Sequence, residues 1–236
     1  MMKKTDASFA RPLNLDRRAL LGGLSFSAIL ALPACQSLGG FGLTDAIQRL
    51  LFLSSERAFA RLTEPGAFWD QQVARVGLGN LLGTRGDVLS GILTSALFKN
   101  RLEDVFAGFA LDASDRAAPV VTDAVRVIGI RNAVALVEGG PRAATSYLRG
   151  EVGNRLIEAM VPEIADAMRI ARDPLVGQLV SAAVGSDVSR LADRLANTVN
   201  DTIWGEIGNE EARIRENPRE TRDPAIIGVF GARNAL

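Results

Sequence analysis

The amino-acid sequence predicts an all-α fold, a single multi-helix domain of roughly eight to ten short helices, on three observations. Apolar residues recur at three- and four-residue spacing along most of the chain. No β-like run is followed by a hairpin turn and a partner run. Glycines and prolines separate the periodic stretches, as helix ends and starts require. The 236 residues divide into 1–34, 35–42 and 43–236, with the helices lying between about 43 and 231.

Each element follows from its own pattern. "LTDAIQRLLFLSSERAFARL" supplies the first helix, behind Thr44. "DVLSGILTSALF" sets Leu89, Ile92, Leu93, Ala96 and Leu97 on one stripe. Asp87 suits its N-cap, because a short carboxylate accepts from the unpaired amides of a first turn. In "NRLIEAMVPEIADAMRIA" the stripe is Ile157, Met160, Val161, Ile164 and Met168. Val188, Leu191, Leu195, Val199 and Ile203 form another, with Arg190, Asp193, Arg194, Asn197 and Asp201 turned outward.

The breaks are Gly77, Gly79, Gly83 and Gly86, then Gly139 and Gly140, together with Pro65, Pro119, Pro141, Pro174, Pro218 and Pro224. Pro119, Pro141, Pro174 and Pro224 suit the first turn of a helix, where no amide donor is lost. Pro162 falls inside a regular pattern and is expected to kink or break it. "PVVTDAVRVIGI" and "AVALV" are rich enough in β-branched residues to tempt a strand assignment, and each also fits a short helix.

Ahead of the domain, a basic start with Lys3, Lys4, Arg11, Arg17 and Arg18 precedes an apolar run, the arrangement of an export signal. The run Ala19–Ala34 holds 16 residues, two glycines, two serines and a proline. A helix crossing the hydrocarbon layer needs about 20 mainly apolar residues, so a permanent transmembrane helix is disfavoured. At its end, "LPACQS" carries the only cysteine of the chain, Cys35, directly behind Ala34 and three residues behind Leu32. This resembles the lipobox of bacterial lipoproteins, which implies a thioether-linked lipid on Cys35, cleavage before it and, with Gln36 rather than an aspartate next, passage to the outer membrane. Each acyl methylene contributes about 0.8 kcal/mol, so several chains hold a domain on a bilayer persistently. "DRRALLGG" places Arg17 and Arg18 before the apolar run and resembles a twin-arginine export signal, with Asp16 and Gly22 departing from its pattern. Twin-arginine and general export both fit.

Removing residues 1–34, which hold five basic and two acidic side chains, leaves 22 basic and 25 acidic ones. They alternate in sign with no basic stripe, so a nucleic-acid surface is not expected. Of the 22 basic residues only Lys99 is lysine. The chain contains no histidine. A Ser-His-Asp triad, a Cys-His pair and an imidazole metal site therefore have no material, and no cofactor or metal is expected. Asp112 with Asp115, or Glu103 with Asp104, lack the spacing of a calcium loop. Ser95 and Lys99, four apart, would be helix neighbours, a weak hint of Ser-Lys chemistry.

Three stretches stand out. "GLGNLLG" at 77–83 lacks a preceding apolar strand, so it reads as a helix–loop–helix turn. "GGPRAATSYLR" at 139–149 opens a helix whose first amides could hold an anion beside Arg142, or simply joins a C-cap glycine to an N-terminal proline. "GNEEARIRENPRETRD" at 208–223 sets Glu211 four residues before Arg215 and Glu210 three before Arg213, the spacing of helix-surface ion pairs.

The blocks "VEGGPRAATSYLR" and "EEARIRENPRETRD...IIGVFG", with the opening "LTDAIQRLL", resemble the bacterial domain of unknown function 4197. Asn132 stands where that family tends to have an aspartate, Leu148 where it tends to have an aromatic, and Asp223-Pro224 where it favours threonine and aspartate. The resemblance implies an all-helical exported protein or lipoprotein and carries no activity with it. By position, Arg142, Thr145, Tyr147, Arg149, Glu211, Arg215 and Arg222 are the candidate functional surface.

The expected role is a non-enzymatic binding or scaffolding domain facing the periplasm, anchored to membrane by lipid and meeting an envelope protein. The alternatives are a helical pocket for a small anionic or apolar ligand or lipid, and a histidine-independent carboxylate-based or hydrolytic enzyme. The first alternative rests on the abundant apolar helices, the second on acidic residues that would have to converge in a cleft.

Overall fold

In the computed structural model the described residues are 42–77, 96–169 and 188–231. Among them are eight α-helices and no strand: α1 (Leu43–Leu62), α2 (Phe68–Val76), α3 (Ala96–Val127), α4 (Ala133–Glu138), α5 (Ala143–Val152), α6 (Arg155–Arg169), α7 (Val188–Glu216) and α8 (Pro224–Ile226). A 3-10 turn, Pro218–Thr221, precedes α8, and a π-turn, Ile227–Gly231, follows it. The all-α expectation holds, but α3 and α7, at 32 and 29 residues, are not short.

Four helices carry the core. α1 packs on α7, α7 on α6, α6 on α3 and α3 back on α1, so the four close a ring. The buried stripe of α3 runs Leu102, Phe106, Ala110, Ala113, Ala117, Val121 and Ala124, at three- and four-residue spacing throughout. Its small alanines share one buried cluster with the larger Leu50, Leu51, Leu62, Leu156 and Met160 of α1 and α6. α2 lies on α3 through Trp69, whose indole N–H donates to the Ser114 hydroxyl at 3.1 Å. Ser114 in turn donates to the Ala110 carbonyl at 2.8 Å, so no polar atom of that buried contact is stranded.

α1 and α7 run antiparallel. Arg61, near the end of α1, pairs with Glu206 and Glu210 of α7, whereas Arg49, near its start, reaches Asp223 beyond the end of α7. The expected stripe of α7 is buried at Leu195, Val199 and Ile203, with Asp193, Arg194, Asn197 and Asp201 outside. It continues through Ile207, Glu211 and Ile214. Among the described side chains of α6, Leu156 and Met160 are fully buried and Ile157 and Val161 sit at the edge of the stripe, while the side chains of Ile164 and Met168 lie outside those described.

Pro119 and Pro141 depart from the expected first-turn position, Pro141 preceding the N-cap Arg142 of α5. Pro119 lies inside α3 rather than at a helix start, and α6 passes through Pro162 without ending. Both face solvent, where water can satisfy the carbonyl that each proline leaves without its amide partner. The two strand-like stretches are helical: "PVVTDAVRV" completes α3 and "AVALV" is most of α4. Pro224 does open a helix, at the first turn of α8. The 78–83 part of "GLGNLLG", Asp87 to Leu93, Ser95 and Pro174 lie outside the described residues.

Candidate functional site

α4 and α5 are joined by Gly139, Gly140, Pro141 and Arg142, and this junction sits against the C-terminal part of α7. Asn132 caps α4, accepting from the Ala135 amide at 3.0 Å. Its short side-chain oxygen suits this position, as Asn and Asp cap about equally well. Gly139 is required by space, because a Cβ there would stand 2.7 Å from the Ala143 Cβ and 2.8 Å from the Ala135 carbonyl oxygen.

The first amides of α5 meet a carboxylate supplied by the chain itself. Glu211 accepts from the Ala144 amide at 3.0 Å through one oxygen and from the Thr145 amide at 2.7 Å through the other. Arg215, one turn further along α7, donates to Glu211 at 2.7 Å and to the Val137 and Leu136 carbonyls at 3.1 and 2.8 Å. Its guanidinium also lies 4.7 Å from the ring centre of Phe230. A negative charge thus sits at the amide end of α5 and a positive one at the carbonyl end of α4, each where the helix dipole favours it. Glu211 is fully buried and Arg215 nearly so, hence this is an interior pair and not the helix-surface pair the spacing suggests. The physical reason lies in register: Glu211 falls on the buried stripe of α7, four residues after Ile207 and three before Ile214.

Around this centre the other candidates are spread. Arg142 is exposed, lays its stem over Gly208 and donates to Asn209 at 2.5 Å. Asn209 donates to Glu206, Arg61 joins Glu206 to Glu210, and Glu210 also holds Arg213. The Thr145 hydroxyl is buried without a hydrogen-bond partner among the described residues. Tyr147 donates to the Gly129 carbonyl at 2.6 Å, and Arg149 pairs with Asp201 across to α7. Arg222 stands apart, exposed, with φ 55°. Cys35, Arg17 and Arg18 lie outside the described residues. A shallow pocket of about 280 Å³ opens over Gly139, Gly140, Pro141, Arg215 and Phe230.

A second concavity, of about 470 Å³, is lined by Asp45, Gln48, Arg49, Phe52, Leu53, Val125, Arg126, Thr221 and Asp223. Arg49 bridges Asp45 at 3.1 Å and Asp223 at 3.0 Å. Burial alone would push the Asp223 carboxyl up, but hydrogen bonds from the Ile226 amide, Arg49 and the Ala225 amide outweigh it and hold it below the ordinary value. Nothing local in the sequence links Arg49 to Asp223, 174 residues away. Among the described residues no group of three or more His, Cys, Asp and Glu is arranged to hold a metal ion.

The family described as a protein of unknown function (DUF4197) matches residues 38–231, and the chain belongs to that family. No curated protein and no solved structure matches the chain.

Proposed function

We propose that this is an envelope lipoprotein, held through lipid on Cys35 at the periplasmic face of the outer membrane, whose helical domain is a non-enzymatic binding or scaffolding module. The observation that carries the reading is the use made of the charges in the two family blocks. Both oxygens of Glu211 are taken up by two backbone amides and a guanidinium, and Arg215 holds the end of α4. Such groups brace a frame. They are not presented to a substrate.

The exposed members of the same blocks, Arg142 and Arg149, are the ones a partner would meet. Their present partners, Asn209 and Asp201, are held at the surface, where such contacts contribute about 0–1 kcal/mol and exchange readily for a carboxylate of another protein. Photo-cross-linking in intact envelopes, from residues placed beside 142 and 149, is expected to give one discrete adduct. The combined Arg142→Ala and Arg149→Ala variant should lose that adduct and keep its helical circular dichroism. An undiminished adduct in the variant, or none in the parent, contradicts the reading.

The groove beside Phe52 favours a second reading, a pocket for a small apolar or anionic molecule. Its wall combines Phe52, Leu53 and Val125 with Arg49 and Arg126, apolar surface beside a few polar groups. Native mass spectrometry of protein from its own host would then show added mass, and bare protein would count against it.

A further inference from the structure

The exposed large hydrophobic residues among those described are Leu43 (39%), Phe52 (44%), Val127 (79%) and Val134 (50%). Single exposed apolar side chains are ordinary and need no explanation. Phe52 and Val127, however, are neighbours, because Phe52 lines one groove with Val125 and Arg126. Leu43 and Phe52 lie on the N-terminal half of α1. Gln48, between them, donates to the Val125 and Arg126 carbonyls at 3.0 and 3.2 Å, which fixes Val127 beside α1. Val134 is in the first turn of α4, and α4 packs on α1.

The connection between α3 and α4 reads "IGIRN", with Arg126 and Arg131 exposed on either side of Ile128 and Ile130, which pack against the core. It is held in place: Tyr147 donates to the Gly129 carbonyl, and Asn132 caps α4. Asp45 and Asp123 are acidic groups of the same side, and each is already paired, with Arg49 and Arg126. Arg131 is exposed.

We propose that this side, Phe52 with the α3–α4 connection, rests on the phospholipid leaflet that carries the lipid of Cys35. The inference rests on the lipoprotein reading above. Covalent geometry supplies the occupant: the eight residues 35–42, at ~3.3–3.6 Å each, keep the start of α1 within roughly 28 Å of the modified cysteine. A tether that short makes contact between this side and the bilayer an intramolecular event, so a small apolar patch suffices. Val127 and Val134 enter the headgroup boundary, and the exposed Arg131 keeps its charged tip at the phosphates while its stem lies along the apolar layer. Among the described residues no helix is long and apolar enough to cross the membrane, and the contact is one of lying on the surface.

The test uses the full lipidated chain in vesicles of phosphatidylethanolamine and phosphatidylglycerol. With the sulfur of Cys35 taken up in a thioether, Val127→Cys offers the one thiol that a nitroxide can label. Val134→Cys serves as a second position and Glu64→Cys, just beyond the far end of α1, as the reference. The labels at 127 and 134 are expected to show a several-fold excess of oxygen over nickel-chelate accessibility, and the label at 64 the reverse. If the protein floats with the vesicles while the label at 127 is as open to the nickel chelate as that at 64, the docking is wrong and the anchor stands. Shielding without vesicles, with dipolar broadening between labels, assigns the face to a second copy and also overturns it. A protein that does not float and takes a second label at Cys35 removes the lipoprotein reading, and this inference with it.

Discussion

Glu211 and Arg215 are one turn apart on α7, yet each closes the end of a different helix, the carboxylate holding the first amides of α5 and the guanidinium the last carbonyls of α4. The break between α4 and α5 leaves polar backbone ends in the interior that helix geometry alone cannot satisfy. One ion pair satisfies both.

Removing either partner leaves a buried charge without its complement. Glu211→Ala and Arg215→Ala are each expected to cost about 3–5 kcal/mol, read from urea unfolding midpoints. The double variant should lose less than the two single losses together, because no isolated charge remains. Additive losses would show that the two groups act independently.

The glycines separate by what surrounds them. Gly139→Ala would drive a methyl group against Ala143 and the Ala135 carbonyl and is expected to destabilise by about 1–3 kcal/mol. Gly150→Ala, inside α5 with nothing within 4 Å, is expected to stabilise by about 0.5–1 kcal/mol. Thermal unfolding of the two variants should move in opposite directions.

Acid stability should report Asp223. Its carboxyl is held below the ordinary value in the folded chain, so its contribution is present above that value and is lost as pH falls through the folded one. Asp223→Asn keeps a competent cap for α8 and loses the charge opposite Arg49. The variant is expected to flatten the fall in stability below about pH 4, with a difference at neutral pH under about 1 kcal/mol because Arg49 is largely exposed. An unchanged acid limb in urea titrations would contradict this.

Helix periodicity made the fold readable. Leu195, Val199 and Ile203 could be placed on a buried face from spacing alone, because a 3.6-residue repeat needs no knowledge of partners. The length of α3 is hidden by Pro119, which local rules read as a helix start. The ion pair was half legible. Continuing the α7 stripe from Ile203 by three and four residues lands on Ile207, Glu211 and Ile214, and a carboxylate on a buried stripe announces a buried partner. That its partners would include the amides of Ala144 and Thr145 depends on packing between elements 66 residues apart, and no local pattern encodes it. The groove of Arg49 and Asp223 is closed to sequence reading for the same reason.

The proposed lipid tether is tested most directly at the N-terminus of the mature protein. Intact mass spectrometry of protein extracted from membranes should give a chain beginning at Cys35 and carrying a diacylglyceryl thioether with further acyl mass. A chain beginning elsewhere, with the thiol of Cys35 free to alkylation, would contradict it.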